Sequence, residues 1–150
     1  MIRNGLMFLV FIVGAAGSPV FEPTRPFDDF GDIKCEDEMA RLDNFAIQLQ
    51  NDPQSKGAIM VYAGKMAGDK WPRRGETEAR AARIKSYLVK KRGTPTDQVI
   101  FINAGYDEYF RVQLWIVPPG AALPRRESAA PKEFHFRKGK PNLRDFRCRV

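Results

Sequence analysis

Residues 58–63, Ala-Ile-Met-Val-Tyr-Ala, form an unbroken apolar run of strand length. A strand without polar alternation has both faces covered, so the chain must supply a sheet around it and material to cover that sheet. Two amphipathic segments flank the run. Between Glu36 and Gln50 there is no Gly or Pro, and Met39, Leu42, Phe45, Ala46 and Leu49 recur at helical spacing. Acids fill the first turn, where the helix dipole favours them, and Asn51-Asp52-Pro53 ends the segment. Glu76 to Arg92 is rich in Ala, Glu, Lys and Arg, with Ala81, Ile84, Tyr87 and Leu88 as its inner stripe; Thr77 is a start signal and Gly93 a stop.

The remaining segments read as strands. Phe27 to Ile33 has aromatic residues but frequent breakers, which allow at most a short edge strand. Val99 to Ile102 is a third strand, and Gly105-Tyr106-Asp107-Glu108 reads as a turn. Phe110 to Val117 alternates, with Val112, Leu114 and Ile116 on one side and Arg111, Gln113 and Trp115 on the other. So short a turn predicts that the last two strands pair antiparallel. The fold class expected is α+β: a two-layer βαβαββ sandwich with a mixed sheet and two helices on one face. At 150 residues the chain suits one domain, placed at 35–117, after an extended acidic segment at 18–34 and before a basic, Pro-rich and flexible tail at 118–150.

The start of the chain reads as an address. Arg3 precedes the apolar run Leu6 to Val13, and Gly14-Ala15-Ala16-Gly17 supplies small residues. That order is the pattern of a secretory signal peptide, assigned to 1–17, and it predicts an exported protein, periplasmic or secreted. The run is far shorter than the roughly 20 residues of a membrane span. Export makes an oxidising compartment the relevant one for Cys35 and Cys148. A disulfide between them, two free thiols and pairing between chains all remain open, because sequence does not give the Cα separation.

Charge is uneven. The net charge is +7, and residues 118–150 hold nine Lys or Arg against three acids. Residues 18–43 hold eight acids against three bases, and residues 56–92 eleven bases against three acids. Such blocks describe solvated faces, or a basic surface for a polyanion; outside the cytoplasm that means envelope polymers or anionic membrane surfaces rather than nucleic acid. Phe134 and Phe136 lie among Arg137, Lys138, Lys140, Arg144 and Arg147, a mixture suited to adhesion at an anionic surface.

The element order, with a signal in front, resembles the OmpA-like domain of bacterial envelope proteins. Thr77 to Val89, with Arg80-Ala81 and Tyr87-Leu88, looks like that family's second helix. The strand from Ile59 to Gly64 sits where the family has an apolar strand ending in Gly, and Gly105 to Glu108 followed by Arg111-Val112 resembles its last turn and strand. The resemblance implies non-covalent, non-catalytic binding of peptidoglycan, with an Arg and a loop Asp holding the zwitterionic end of the stem peptide. Arg80 matches the Arg. The Asp position falls near Ala67, and Asp69, two residues on, substitutes for it only if the loop is rearranged by the insertion containing Lys70-Trp71-Pro72. Trp71, beside Arg73 and Arg74, has an aromatic face suited to a sugar or an acyl chain, or to packing on the sheet edge; Trp115 has the same two readings.

Those residues point to an exported, non-catalytic envelope module that associates with peptidoglycan or another anionic component. A protein–protein scaffolding domain that has lost the ligand pocket is the alternative, favoured by the missing loop Asp. No Gly-rich phosphate cradle, nucleophile elbow or interpretable acid pair occurs, so neither an enzyme nor a cofactor is expected. One His and two Cys leave too few ligands for the common zinc sites.

Overall fold

A computed structural model describes residues 25–126 and 131–141. The signal segment 1–17 and residues 18–24, together with Arg144, Arg147 and Cys148, lie outside the described residues. The elements run β1 (Asp28–Phe30), α1 (Cys35–Asn51), β2 (Lys56–Lys65), α2 (Glu76–Lys90), a 3-10 turn (Thr96–Gln98), β3 (Val99–Tyr109) and β4 (Arg111–Val117). The fold is α+β, a four-stranded mixed sheet ordered β1-β4-β2-β3 with both helices on one face.

The run that fixed the expectation takes the centre. β2 is buried on both faces from Gly57 to Gly64, pairs parallel with β3 and antiparallel with β4. Ile59 and Val61 join Leu42, Phe45 and Leu49 of α1 and Ala81, Ile84 and Leu88 of α2 in the main core. Each fully buried Leu, Ile, Val or Phe side chain among them contributes about 1.5–3 kcal/mol of transfer free energy. The helix approaches closely: a Cβ on Gly57 would lie 2.7 Å from Leu49 Cδ1.

The last two strands do not form the expected hairpin. Gly105 to Glu108 continues β3 instead of turning, and β4 pairs with β2 and β1. The link between β3 and β4 is the single residue Phe110, and it passes over the end of β2 at Gly64. A Cβ there would lie 2.1 Å from the Tyr109 carbonyl carbon, and Phe110 N–H donates to the Lys65 carbonyl at 2.9 Å. A side-chain-free residue therefore lets the chain cross and insert β4 beside the most apolar strand.

The other face of the sheet carries a second core of Ala58, Met60, Tyr62, Ala104, Trp115 and Val117. Trp115 is 2% exposed and presents no face to a ligand. Residues 118–126 turn back toward this core: Ala121 packs against it, Pro124 is buried, and Arg126 donates to the Tyr106 carbonyl. Residues 131–141 also lie on the domain, described below; over these stretches the tail packs rather than extends.

Polar ties fix the layers. Gln98 Nε2 donates to the carbonyls of Leu49 and Ser55 at 3.1 and 3.0 Å, tying the 3-10 turn to the end of α1. Glu38 pairs with Arg83 across the helices, and Tyr87 Oη donates to Asp43 at 2.7 Å. At the β1 edge Asp29 accepts from Arg111 and, at 3.1 Å, from Gln113 Nε2. Burial would raise the Asp29 pKa, but the hydrogen bonds from Arg111 and Gln113 and the Arg111 charge outweigh it and hold the carboxyl below its usual 3.8.

Candidate functional site

α2 carries Arg80 on its second turn, and the core stripe Ala81, Ile84 and Leu88 orients that turn against the sheet. The guanidinium points inward. It pairs with Asp32 in the β1–α1 connection and lies 4.3 Å from the centroid of Phe110. Its side chain is 13% exposed and that of Asp32 19%. The other Asp32 oxygen accepts from Ala67 N–H at 3.0 Å. Asp32 thus supplies a carboxylate to Arg80 and to the very position where the resemblance lacks an acid. Asp69 is exposed at a left-handed φ of 54°, and Asp32 rather than Asp69 meets Arg80.

Trp71, Arg73 and Arg74 come together with the tail instead. Arg73 and Arg137 form a parallel bridge, Arg137 N–H donates to the Pro72 carbonyl at 2.9 Å, and Arg137 Nε donates to the Trp71 carbonyl. Glu76, 5% exposed, accepts from Arg73 N–H and lies 4.0 Å from the Arg137 guanidinium. Trp71 packs edge-on against Phe134 and His135 at 5.2 and 5.8 Å, with Lys65 Nζ 5.2 Å from its ring centroid. Phe134 also packs on Tyr106 and Phe136, and the Arg74 guanidinium sits 4.7 Å from the Phe136 ring.

The result is a rim at one end of the sheet. Arg73, Arg74, Arg137, Lys138 and Lys140 belong to two segments more than 60 residues apart in sequence, now side by side around phenylalanine rings. A groove of about 520 Å³ is lined by Arg74, Phe134, Phe136, Arg137 and Lys138. Between α2 and β3 a more enclosed cavity of about 280 Å³ is lined by Arg74, Thr77, Glu78, Asn103, Tyr106 and Phe136.

Sequence reasoning missed Asp32 and Tyr106. Asp32 stands 48 residues before Arg80 without a periodic relation to it, and Tyr106 lies in the stretch that reads as a turn and that β3 absorbs. Cys35 is disulfide-bonded, and the one other cysteine, Cys148, lies outside the described residues. Among the described residues no cluster of His, Cys, Asp or Glu is arranged to hold a metal, and no helix is long and apolar enough to cross a membrane. Neither a scan against models of protein families nor a search of curated proteins gave a match to this chain.

Proposed function

We propose that this chain is an exported, non-catalytic envelope module that adheres to an anionic envelope component through the rim formed by the β2–α2 loop and residues 131–141. The observation that carries the reading is the meeting of Arg73 and Arg74 with Arg137, Lys138 and Lys140 beside the half-buried rings of Phe134 and Phe136. Cations near an anionic surface contribute about 1 kcal/mol each, and several on one rim add up to a stable but salt-sensitive attachment. The charged, apolar and small residues at 1–17 support export, and the disulfide at Cys35 fits an oxidising compartment. The sequence from Thr77 to Val89 is what supports the OmpA-like resemblance.

The stem-peptide grip that the resemblance implies is the less favoured form of this reading. Arg80 already has a carboxylate in Asp32, and Ala67 stands at the acid position. The same closure favours the alternative of a scaffolding domain that keeps the fold without the pocket.

The test uses residues 18–150, sedimented with purified peptidoglycan and with phosphatidylcholine vesicles containing or lacking phosphatidylglycerol. Retention on anionic material is expected to fall with salt and to weaken at least about tenfold in Lys138→Glu/Lys140→Glu, while Arg80→Ala leaves it unchanged. Retention indifferent to salt and to the double reversal refutes the rim. A stoichiometric protein partner that survives high salt makes the scaffolding reading the better one.

A further inference from the structure

The cavity of about 280 Å³ between the start of α2 and β3 shares Arg74 and Phe136 with the rim but differs from it in chemistry. Tyr106, 40% exposed, and Phe136 give it aromatic walls. Arg74 is an exposed cation held over Phe136. Thr77, 5% exposed, Glu78 and Asn103 add a hydroxyl, a carboxylate and an amide. Asn103 Nδ2 donates to Glu78 Oε1 at 3.4 Å while Asn103 Oδ1 accepts from Gly105 N–H at 2.9 Å, so the amide is oriented by its own strand and steadies the carboxylate.

That combination discriminates among ligand classes. A sulfate would meet Arg74 but offer the Glu78 carboxylate no hydrogen-bond donor. A neutral apolar molecule would strip water from Arg74, Glu78 and Thr77 and give them no partner. A ring bearing one carboxylate and several hydroxyls satisfies every group. Its carboxylate pairs with the planar Arg74 fork, its hydroxyls donate to Glu78 and exchange hydrogen bonds with Thr77 and Asn103, and its C–H face lies on an aromatic wall. The volume is just below the roughly 300 Å³ at which drug-sized pockets begin, which suits a single sugar unit.

The geometry points to a subsite for a carboxylate-bearing pyranose, one hexuronic acid unit of an acidic polysaccharide. It rests on the reading of the rim as an anionic contact and specifies the polymer: Lys138 and Lys140 meet neighbouring units while the cavity seats one.

Calorimetric titration of residues 18–150 with trigalacturonate tests it, against the neutral α-1,4-galactotriose and against glutarate, which has carboxylates but no hydroxyls. Trigalacturonate is expected to bind at least about tenfold more tightly than either control. Arg74→Ala abolishes its advantage over galactotriose, and Glu78→Gln weakens trigalacturonate but not glutarate. Both positions are solvent-facing, and urea midpoints within the wild-type range establish that the variants fold. Equal binding of trigalacturonate and glutarate overturns the subsite. So does trigalacturonate binding that survives Arg74→Ala yet disappears in Lys138→Glu/Lys140→Glu, an outcome that leaves the rim standing. Salt-sensitive retention on anionic vesicles without trigalacturonate binding also overturns the subsite and assigns the rim to a membrane surface. Loss of the vesicle and polymer retention alone, with trigalacturonate still bound through Arg74, removes the rim and keeps the cavity.

Discussion

The pairing of Asp32 with Arg80 decides whether the second-turn arginine of α2 is a structural or a ligand-binding group, and a double-mutant cycle measures it. Asp32→Ala, Arg80→Ala and the double variant are compared with wild type by urea unfolding at pH 7. Exposed ion pairs couple by about 0.2–1 kcal/mol, whereas breaking a buried one costs about 3–5 kcal/mol. With side chains 13% and 19% exposed, this pair lies between those limits, and solvent at its edge discounts the upper one. A coupling of about 1.5–3 kcal/mol is therefore expected. Arg80→Ala also loses the contact with Phe110, about 0.5–1 kcal/mol, but that loss appears in the single and double variants alike and cancels in the cycle. Because the pair is mostly enclosed, the coupling should persist in 0.5 M salt, where an exposed pair would be screened. Additivity within about 0.5 kcal/mol would show that Asp32 does not hold Arg80.

Three further outcomes are expected. Gly64→Ala introduces a Cβ into the crossing chain at Tyr109 and should lower the unfolding free energy by at least about 1–3 kcal/mol in urea titration; a neutral effect would mean that the β3–β4 link is easily displaced. The folded-state pKa of Asp29 is depressed, so its contribution to stability is present above the ordinary value of 3.8 and is lost as pH falls through the lower folded value. Thermal melts of wild type between pH 5 and pH 2 should accordingly fall more steeply than those of Asp29→Asn, and parallel curves would contradict this. A reductant should lower the melting temperature of the wild type, and non-reducing peptide mapping of the monomer should join Cys35 to Cys148, a bond whose loop is worth up to about 4–5 kcal/mol of stability; an unchanged melt would show that the bond contributes nothing.

How much could be read beforehand follows from the range of the interactions. The apolar run at 58–63 and the stripes of both helices are local patterns, so β2, α1 and α2 were legible to within a few residues. The alternation from Val112 to Val117 gave β4 but not its neighbours, because pairing depends on what crosses over Gly64 and not on the strand itself. Arg80 was legible as a notable cation. Its fate was not, since Asp32 carries no signal linking it to a residue 48 positions on. The rim was half legible: both basic blocks were evident in the composition, but their meeting depends on the Arg73–Arg137 bridge and on rings of Trp71, Tyr106, Phe134 and Phe136 that no spacing connects.

Inserting β4 between β1 and β2 also sets an order of events. Among the described residues, β1 has its pairing partner only in β4, 82–86 positions further along the chain (Phe30 with Val112 to Asp28 with Leu114). The slot beside β2 stays vacant until residues 111–117 enter it, so β1 has no place to dock before then. Closure of such distant pairings is entropically delayed, which puts folding on the slow, millisecond-to-second side for a domain of this size and leaves the growing polypeptide uncommitted until residues 111–117 have been made.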